Sequence, residues 1–467
     1  MILKKLFGDR KFYKRLFALA LPIMIQNFIT NFVNMLDNIM VGNVGTVQMN
    51  GVAVSNQLLF VFNLCIFGAV SGVGIFTAQF YGKGDTKGVR DTFRFKLIVC
   101  GLIALLGIVF FWFFGDNLIG LYLRGEGKPA DAAASLLYGE QYLKIMLIGI
   151  IPYALVQCYS GTLRETGESV VPMAAGIAAV LVNLGLNALL IFGLCGFPRL
   201  GSNGAAIATV ISRFVELAVV AIWTRATAKK HPFILGAYRS LRIPRGLIRP
   251  VLQKGMPLML NEALWASGMA TVNQGYSAMG LDVVGANNIA STFWNVFSIA
   301  FMAVGAAVGI ILGQMLGAGK TKEAKGAARK LITSSVMVSI VMAVLYILCA
   351  EFVPNAYKTT DEIRLLATRL MQIGALAMPL DAFAHASYFT LRSGGKTLIT
   401  FLFDSCFVWI VNVPTVMLLS RFTDLSVLWI FGIVQFSAIL KCILGVILVE
   451  QGSWIKNIIG DQKYELS

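Results

Sequence analysis

Apolar residues run along this chain in long unbroken stretches, and short segments rich in Gly, Lys and Arg separate them. Twelve stretches fall near residues 16–41, 52–80, 95–114, 139–161, 169–193, 204–223, 251–276, 285–315, 331–350, 366–390, 398–419 and 425–449. A bilayer core takes roughly 20 helical residues to cross, and each stretch is close to that length or beyond it. Barrel strands would alternate apolar and polar residues over about ten positions. The pattern therefore predicts helices, whose backbones satisfy their own hydrogen bonds in hydrocarbon. The first stretch lacks the form of a cleaved signal peptide and is expected to be retained.

The stretches form two sets of six. Sliding the chain over itself by 235 residues (22 to 257) aligns Pro22 with Pro257, Gly45 with Gly280, Val73 and Gly74 with Val308 and Gly309, and Gln79 with Gln314. The same offset continues through Gly82/Gly317, Gly84/Gly319, Thr86/Thr321 and Lys87/Lys322. Later it becomes 228 (164 to 392), matching Arg164 with Arg392, Gly167 with Gly395 and Arg213 with Lys441. Six spans per copy is an even number, so both copies enter the membrane from the same side and the repeat is parallel. The expected fold is all-α and polytopic, with twelve transmembrane helices in two six-helix lobes around a central cavity. The lobes are expected over 1–223 and 251–467, joined by a basic cytoplasmic linker over 224–250.

Composition agrees with that reading: 57% of the 467 residues are hydrophobic and 13% charged, with a mean hydropathy of +0.76. A soluble domain cannot cover so much apolar surface. The net charge of +16 would suggest nucleic acid in a soluble protein, but its distribution gives another account. With the N-terminus inside, about 28 Lys and Arg fall on that side against 6 outside. This asymmetry puts both termini in the cytoplasm, and the inner (plasma) membrane is the expected location. Membrane lipids, with anionic lipid along 224–250, are then the partners of the basic segments, and nucleic acid is not. Seven cysteines without paired spacing and two histidines, His231 and His385, give no sign of a disulfide framework, metal site, cofactor or catalytic set. The chain is read as a non-enzymatic monomer.

Ionisable residues inside spans are costly and must be paired or functional. Glu140 and Lys144, four apart, and Arg213 and Glu216, three apart, are placed to pair along their own helices. Counting the helical rise puts Glu262 and Asp381 at depths of about 16 and 15 Å, with Lys441 near 12 and Asp404 near 10 Å. Either these four form one cluster, or Asp404 and Lys441 neutralise each other and leave Glu262 and Asp381 to the cavity. Asp37 has no basic neighbour in sequence. Its span carries Asn27, Asn31, Asn34 and Asn38 at intervals of four, three and four, a single polar face. That face lines a wet cavity or bonds to a neighbouring helix. Asn183 and Asn187, four apart on the fifth span, are candidate partners of Asp37.

The segments "NMLDNIMVGNVG" at 34–45, "AQFYGKGD" at 78–85, "LRETGES" at 163–169, "NLGLNALLIFG" at 183–193 and "NGAAIAT" at 203–209 resemble the multidrug and toxic compound extrusion family, as do "GMPLMLNEALW" and "LRSGGKT" in the second half. The resemblance covers nearly the whole chain. It implies an antiporter in which inward flow of protons or sodium drives organic cations or amphipathic drugs outward by alternating access. It also implies that Asp37, Asn183 and Asn187 form the coupling site of the first lobe and that Asp381 serves the second; Glu262 joins Asp381 as a coupling candidate on its counted depth, and Asn27, Asn34 and Asn38 are substrate-cavity candidates on their polar face. Asn187 stands where some members carry an aspartate, and Trp265 where one branch carries the seventh-helix acid. A lipid-linked sugar flippase of the same superfamily would share the fold, but usually has extra spans and cationic residues facing its cavity. A membrane enzyme would need a nucleophile or metal set that is not found.

The topology is open to labelling. A cysteine placed at Arg239 should stay unmodified by an impermeant maleimide in intact cells and react in broken ones; strong labelling from outside would reverse the orientation.

Overall fold

The computed structural model describes residues 6–123, 129–357 and 359–460, apart from the side chains of Asn34, Asn38 and Pro129. Twelve long helices follow one another: α1 Arg10–Gly42, α2 Thr46–Lys83, α3 Thr86–Tyr122, α4 Pro129–Glu165, α5 Val170–Phe192 and α6 Ser202–Ala226. The second half gives α7 Arg245–Ser277, α8 Leu281–Gly317, α9 Thr321–Ala350, α10 Asp361–Ser393, α11 Thr397–Phe422 and α12 Val427–Gln451. No strand occurs among the described residues. The all-α, twelve-helix reading therefore holds. Eleven of these helices carry an apolar window of membrane-crossing length. The remaining one, α7, has Lys254, Asn261, Glu262, Asn273 and Gln274 along its 33 residues, which lowers its hydropathy.

Most helices outrun the apolar stretches, because their polar ends keep the helical hydrogen-bond ladder. α3 begins at Thr86 rather than near 95, so Lys87, Arg90, Arg94 and Lys96 are helical. The loop at 227–244 is folded onto that end of α3. Arg94 donates from Nε to the carbonyl of Ala237 at 2.9 Å and from Nη2 to that of Gly236 at 2.7 Å, while Phe233, Ile234 and Ala237 are buried.

The repeat is visible in the helix ends. Asp85 N–H donates to the Phe80 carbonyl (2.9 Å) and Lys320 N–H to that of Met315 (3.0 Å), each wrapping a left-handed glycine, Gly84 (φ 79°) or Gly319 (φ 75°). The same closure joins Glu168 to Leu163 (2.8 Å) and Lys396 to Leu391 (3.3 Å) around Gly167 and Gly395. These caps satisfy orphan carbonyls at a helix end, and only glycine takes the left-handed position without strain.

Two compact units emerge, and the chain passes between them more than once. One has the bounds Ile25–Thr77 and Thr86–Ile248; the other has Met1–Met24, Ala78–Asp85 and Arg249–Ser467. In the first, α4 packs on α3 and α6, and α5 on α6. In the second, α10 packs on α8, α9 and α12. The start of α1 belongs to the second unit because Leu16, Leu19 and Ala20 make one apolar stripe that is buried with Val304, Ala307, Val308 and Ile311 of α8.

The repeat-related ends of α2 and α8 meet within the second unit. A Cβ on Gly82 would overlap the carbonyl oxygen of Gln314, and one on Gly317 would overlap that of Gln79. The approach is thus backbone to backbone. Gln79 lies fully buried beside it, donating to the carbonyls of Ser393 (3.0 Å) and Lys456 (3.2 Å) and accepting from the Ile458 amide at 2.9 Å.

Replacing Gly317 by Ala should lower stability by about 1–3 kcal/mol, since neither backbone can yield to the methyl. Gly326→Ala on exposed helix surface, where a Cβ meets nothing, should be neutral or stabilising by roughly 0.5–1 kcal/mol. Thermal unfolding of both variants in detergent separates the two; equal midpoints would show that the crossing tolerates a side chain.

Candidate functional site

In the first unit, α1 presents Asp37 to α5. Asn187 Nδ2 donates to Asp37 Oδ1 at 2.6 Å and also lies 3.1 Å from Asn183 Oδ1. The interval of four between the two asparagines puts both on one face of α5, and both are buried. Asn183 Nδ2 lies 3.2 Å from Thr209 Oγ1 on α6. With its amide turned over, Asn183 instead donates to Asp37 Oδ1 at 3.0 Å and Oδ2 at 3.2 Å and accepts from the Thr209 hydroxyl at 3.2 Å. We favour the turned orientation when Asp37 is ionised, because a carboxylate only accepts and both amides then donate to it. The expected trio of Asp37, Asn183 and Asn187 is therefore assembled, and Thr209 joins it. Thr209 lies in the "NGAAIAT" segment, but one threonine on an apolar helix gave no signal of its own.

Asp37 makes no ion pair among the described residues, and its hydrogen bonds come from neutral amides. With both amides donating to it, the Asp37 carboxylate is the set's charged acceptor, and the Asn183 oxygen is taken up by the Thr209 hydroxyl. Such a carboxylate suits a proton or a small monovalent cation held by oxygen. Asn27 and Asn31 are exposed on α1, while the side chains of Asn34 and Asn38 lie outside the described residues.

Both expected local pairs form. Arg213 Nη1 meets Glu216 Oε2 at 3.1 Å, with the guanidinium 5.1 Å over the Tyr153 ring, and Lys144 pairs with Glu140. A third pair was not anticipated. Lys96, at the start of the third apolar stretch, is wholly buried and ion-paired with Glu165 of α4, and it donates to Thr162 Oγ1 at 3.1 Å. Gly74 makes room, since a Cβ there would overlap the Glu165 carboxylate. Arg164, beyond the fourth apolar stretch, is helical and donates to Gln26 Oε1 at 2.6 Å.

In the second unit, Asp404 pairs with Lys441 at 3.3 Å and accepts from Asn261 Nδ2 at 3.0 Å. Asn261 also accepts at Oδ1 from the Ser405 backbone N–H (3.3 Å) and hydroxyl (2.7 Å). α11 widens into π-helical turns over Leu402–Cys406 and Val408–Asn412, and a side chain bonded to a backbone amide is one way to open the ladder there. Lys441 lies 5.0 Å from the Phe407 ring. Of the two readings of these charges, the Asp404–Lys441 pair is the one formed.

Glu262 and Asp381 make no hydrogen bond or ion pair among the described residues. They also have different electrostatic neighbours: Arg392 and Asp404 for Glu262, and Lys441 for Asp381. Equal depth along two helices does not decide which faces meet. Arg392 itself is buried, with its guanidinium 5.2 Å over Phe389 and 6.0 Å over Tyr388.

Comparison with known proteins agrees with this architecture. A family model described as MatE matches residues 22–189 and 257–418, once in each repeat and with starts 235 residues apart. The probable multidrug resistance protein NorM of Thermotoga maritima is 25% identical, over 96% of this chain and 94% of its own. The probable multidrug resistance protein YoeA of Bacillus subtilis is 25% identical over 91% of both. Among solved structures, an outward-facing multidrug resistance MATE family transporter of the MOP superfamily shares the fold with a TM-score of 0.84 at 18% identity, covering 96% of this chain and 98% of that one. Matched in both repeats over most of its length, this multi-pass membrane protein belongs to the MatE family of transporters.

Proposed function

We propose that the protein is a secondary antiporter of the inner membrane, exporting organic cations and amphipathic drugs while a proton or sodium ion flows inward. The observation that carries this reading is Asp37. A carboxylate within a membrane-spanning helix, bonded to neutral amides and lacking an ion-pair partner among the described residues, is the group whose charge must be met by something mobile. A proton and an organic cation are alternative ways of neutralising it. Competition between the two at one acid, at opposite faces of the membrane, couples their movements. The multidrug names of the two relatives support the substrate class. The parallel repeat supports alternating access to a cavity between lobes, and the basic asymmetry supports cytoplasmic termini.

Glu262 and Asp381 are the corresponding candidates in the second unit, where Asp404 is already occupied by Lys441. Each gives that unit an acid able to take a proton or cation independently. We read the protein as a monomer that needs no cofactor, with Asn27, Asn34 and Asn38 on the substrate side of α1.

Purified protein in liposomes should accumulate ethidium against its gradient when a proton or sodium gradient is imposed. Asp37→Asn should lower that uphill rate at least tenfold while leaving the thermal midpoint close to wild type. Undiminished uphill transport by the variant would remove Asp37 from coupling.

A further inference from the structure

Several charges of the first unit, though not all of them, lie along one line. α6 presents Thr209, Arg213 and Glu216 at intervals of four and three, which is a single helix face. Thr209 touches Asn183 of the Asp37 cluster, and Arg213, partly exposed, pairs with the buried Glu216. Arg213 lies over Tyr153, and from there α4 carries Tyr153, Gln157, Ser160 and Arg164 at intervals of four, three and four. Arg164 bonds to Gln26, and the next residue, Glu165, pairs with Lys96. Electrostatic contact bridges the joints: Arg213 acts on Asp37, and both Glu216 and Glu165 act on Arg164. The α4 part alone, from Tyr153 to Glu165, runs about 18 Å along the helix axis. Asp37 lies five residues from the end of α1, and Glu165 is the last residue of α4. Among the described residues, the other titratable groups that act on this line include Tyr142 beside Asp37 and Arg213, Tyr153 beside Arg213 and Glu216, and Cys100 and Cys158 beside Lys96 and Glu165.

Simple charge neutralisation does not account for two features. Asn187 Oδ1, Ser160 Oγ and Arg164 Nε are buried along the line without a partner among the described residues, and buried polar atoms of that kind are satisfied by internal water. The fold itself does not need the charges either. Under the repeat offsets, Glu216 corresponds to Leu444, Glu165 to Ser393 and Lys96 to Leu331, so the same scaffold is built elsewhere in the chain without them.

We propose that this line is a hydrated proton path, carrying the coupling proton from Asp37 past Glu216 to Glu165 and out at the inner end of α4. The proposal rests on the reading of Asp37 as the coupling group. At each step a carboxylic O–H bond breaks, the proton moves through water, and an O–H bond forms on the next carboxylate. The carboxylate left behind is ionised again, so one proton is delivered and nothing else changes. The positive charges of Arg213, Arg164 and Lys96 line the same route and repel sodium there, so the ion that leaves this way is a proton.

The test uses the full-length protein in liposomes, with ethidium as substrate and a pH dye inside. Glu216→Gln should lower proton-gradient-driven ethidium uptake at least tenfold, while ethidium affinity stays within twofold and gradient-free ethidium exchange continues. Glu216→Asp, which keeps a carboxylate, should retain coupling. The uncharged pair Arg213→Met with Glu216→Met avoids a stranded charge and should behave as Glu216→Gln does. Normal uphill uptake by Glu216→Gln or by the pair replacement would overturn the path, as would equal loss in Glu216→Asp. Failure to recover either variant as monodisperse protein would make the line a packing element and equally end the proposal. Strong uptake driven by sodium alone, without a proton gradient, would contradict proton selection. The Asp37→Asn variant separates the levels: if it transports uphill normally the coupling reading is wrong, whereas its loss beside a normal Glu216→Gln sinks only the path.

Discussion

An ionised side chain in hydrocarbon costs at least a few kcal/mol unless a partner neutralises it. That penalty arranges the polar interior of this protein. Arg213–Glu216, Lys96–Glu165 and Asp404–Lys441 are each a base and an acid from within or between helices, so the lipid meets them as neutral pairs. Burying such pairs is seldom a net gain in stability, because desolvation offsets their attraction. Their persistence is easier to understand when some of them handle ions. Asp37, Glu262 and Asp381 have no ion-pair partner among the described residues, and an acid whose charge no fixed base neutralises is one that can take a mobile cation or proton.

The duplication separates scaffold from chemistry. The glycine-based helix caps at Gly84 and Gly319, and at Gly167 and Gly395, are the same in both copies because the backbone turn they close is the same. The close approach of α2 and α8 through Gly82 and Gly317 uses repeat-related positions on both sides. Acids obey no such rule. Asp37 faces Val272 across the repeat offset, and Glu262 faces Asn27. Once packing no longer constrained a position, each copy could acquire its own charges, and the first acquired the continuous line from Asp37 to Lys96.

Sequence alone determined the number of spans, their helical nature and the duplication, because these rest on long-range hydrophobicity and a constant offset. It also determined Arg213–Glu216 and Glu140–Lys144, whose partners share one helix, so that spacing fixes proximity. The pairing of Asp37 with Asn183 and Asn187 was legible from one polar face on each helix together with the family resemblance. What tertiary structure decided was which faces meet. Lys96 and Glu165 are 69 positions apart, and a lysine at the edge of an apolar stretch reads as a loop base until α3 and α4 are packed. Thr209 and Asn261 carry no signal beyond being polar, and only the neighbouring helix gives them a partner. Glu262 and Asp381 show the limit most directly: counting residues fixes depth along a helix axis, but rotation about that axis is set by packing, so only the fold could give Glu262 the neighbours Arg392 and Asp404 and give Asp381 Lys441.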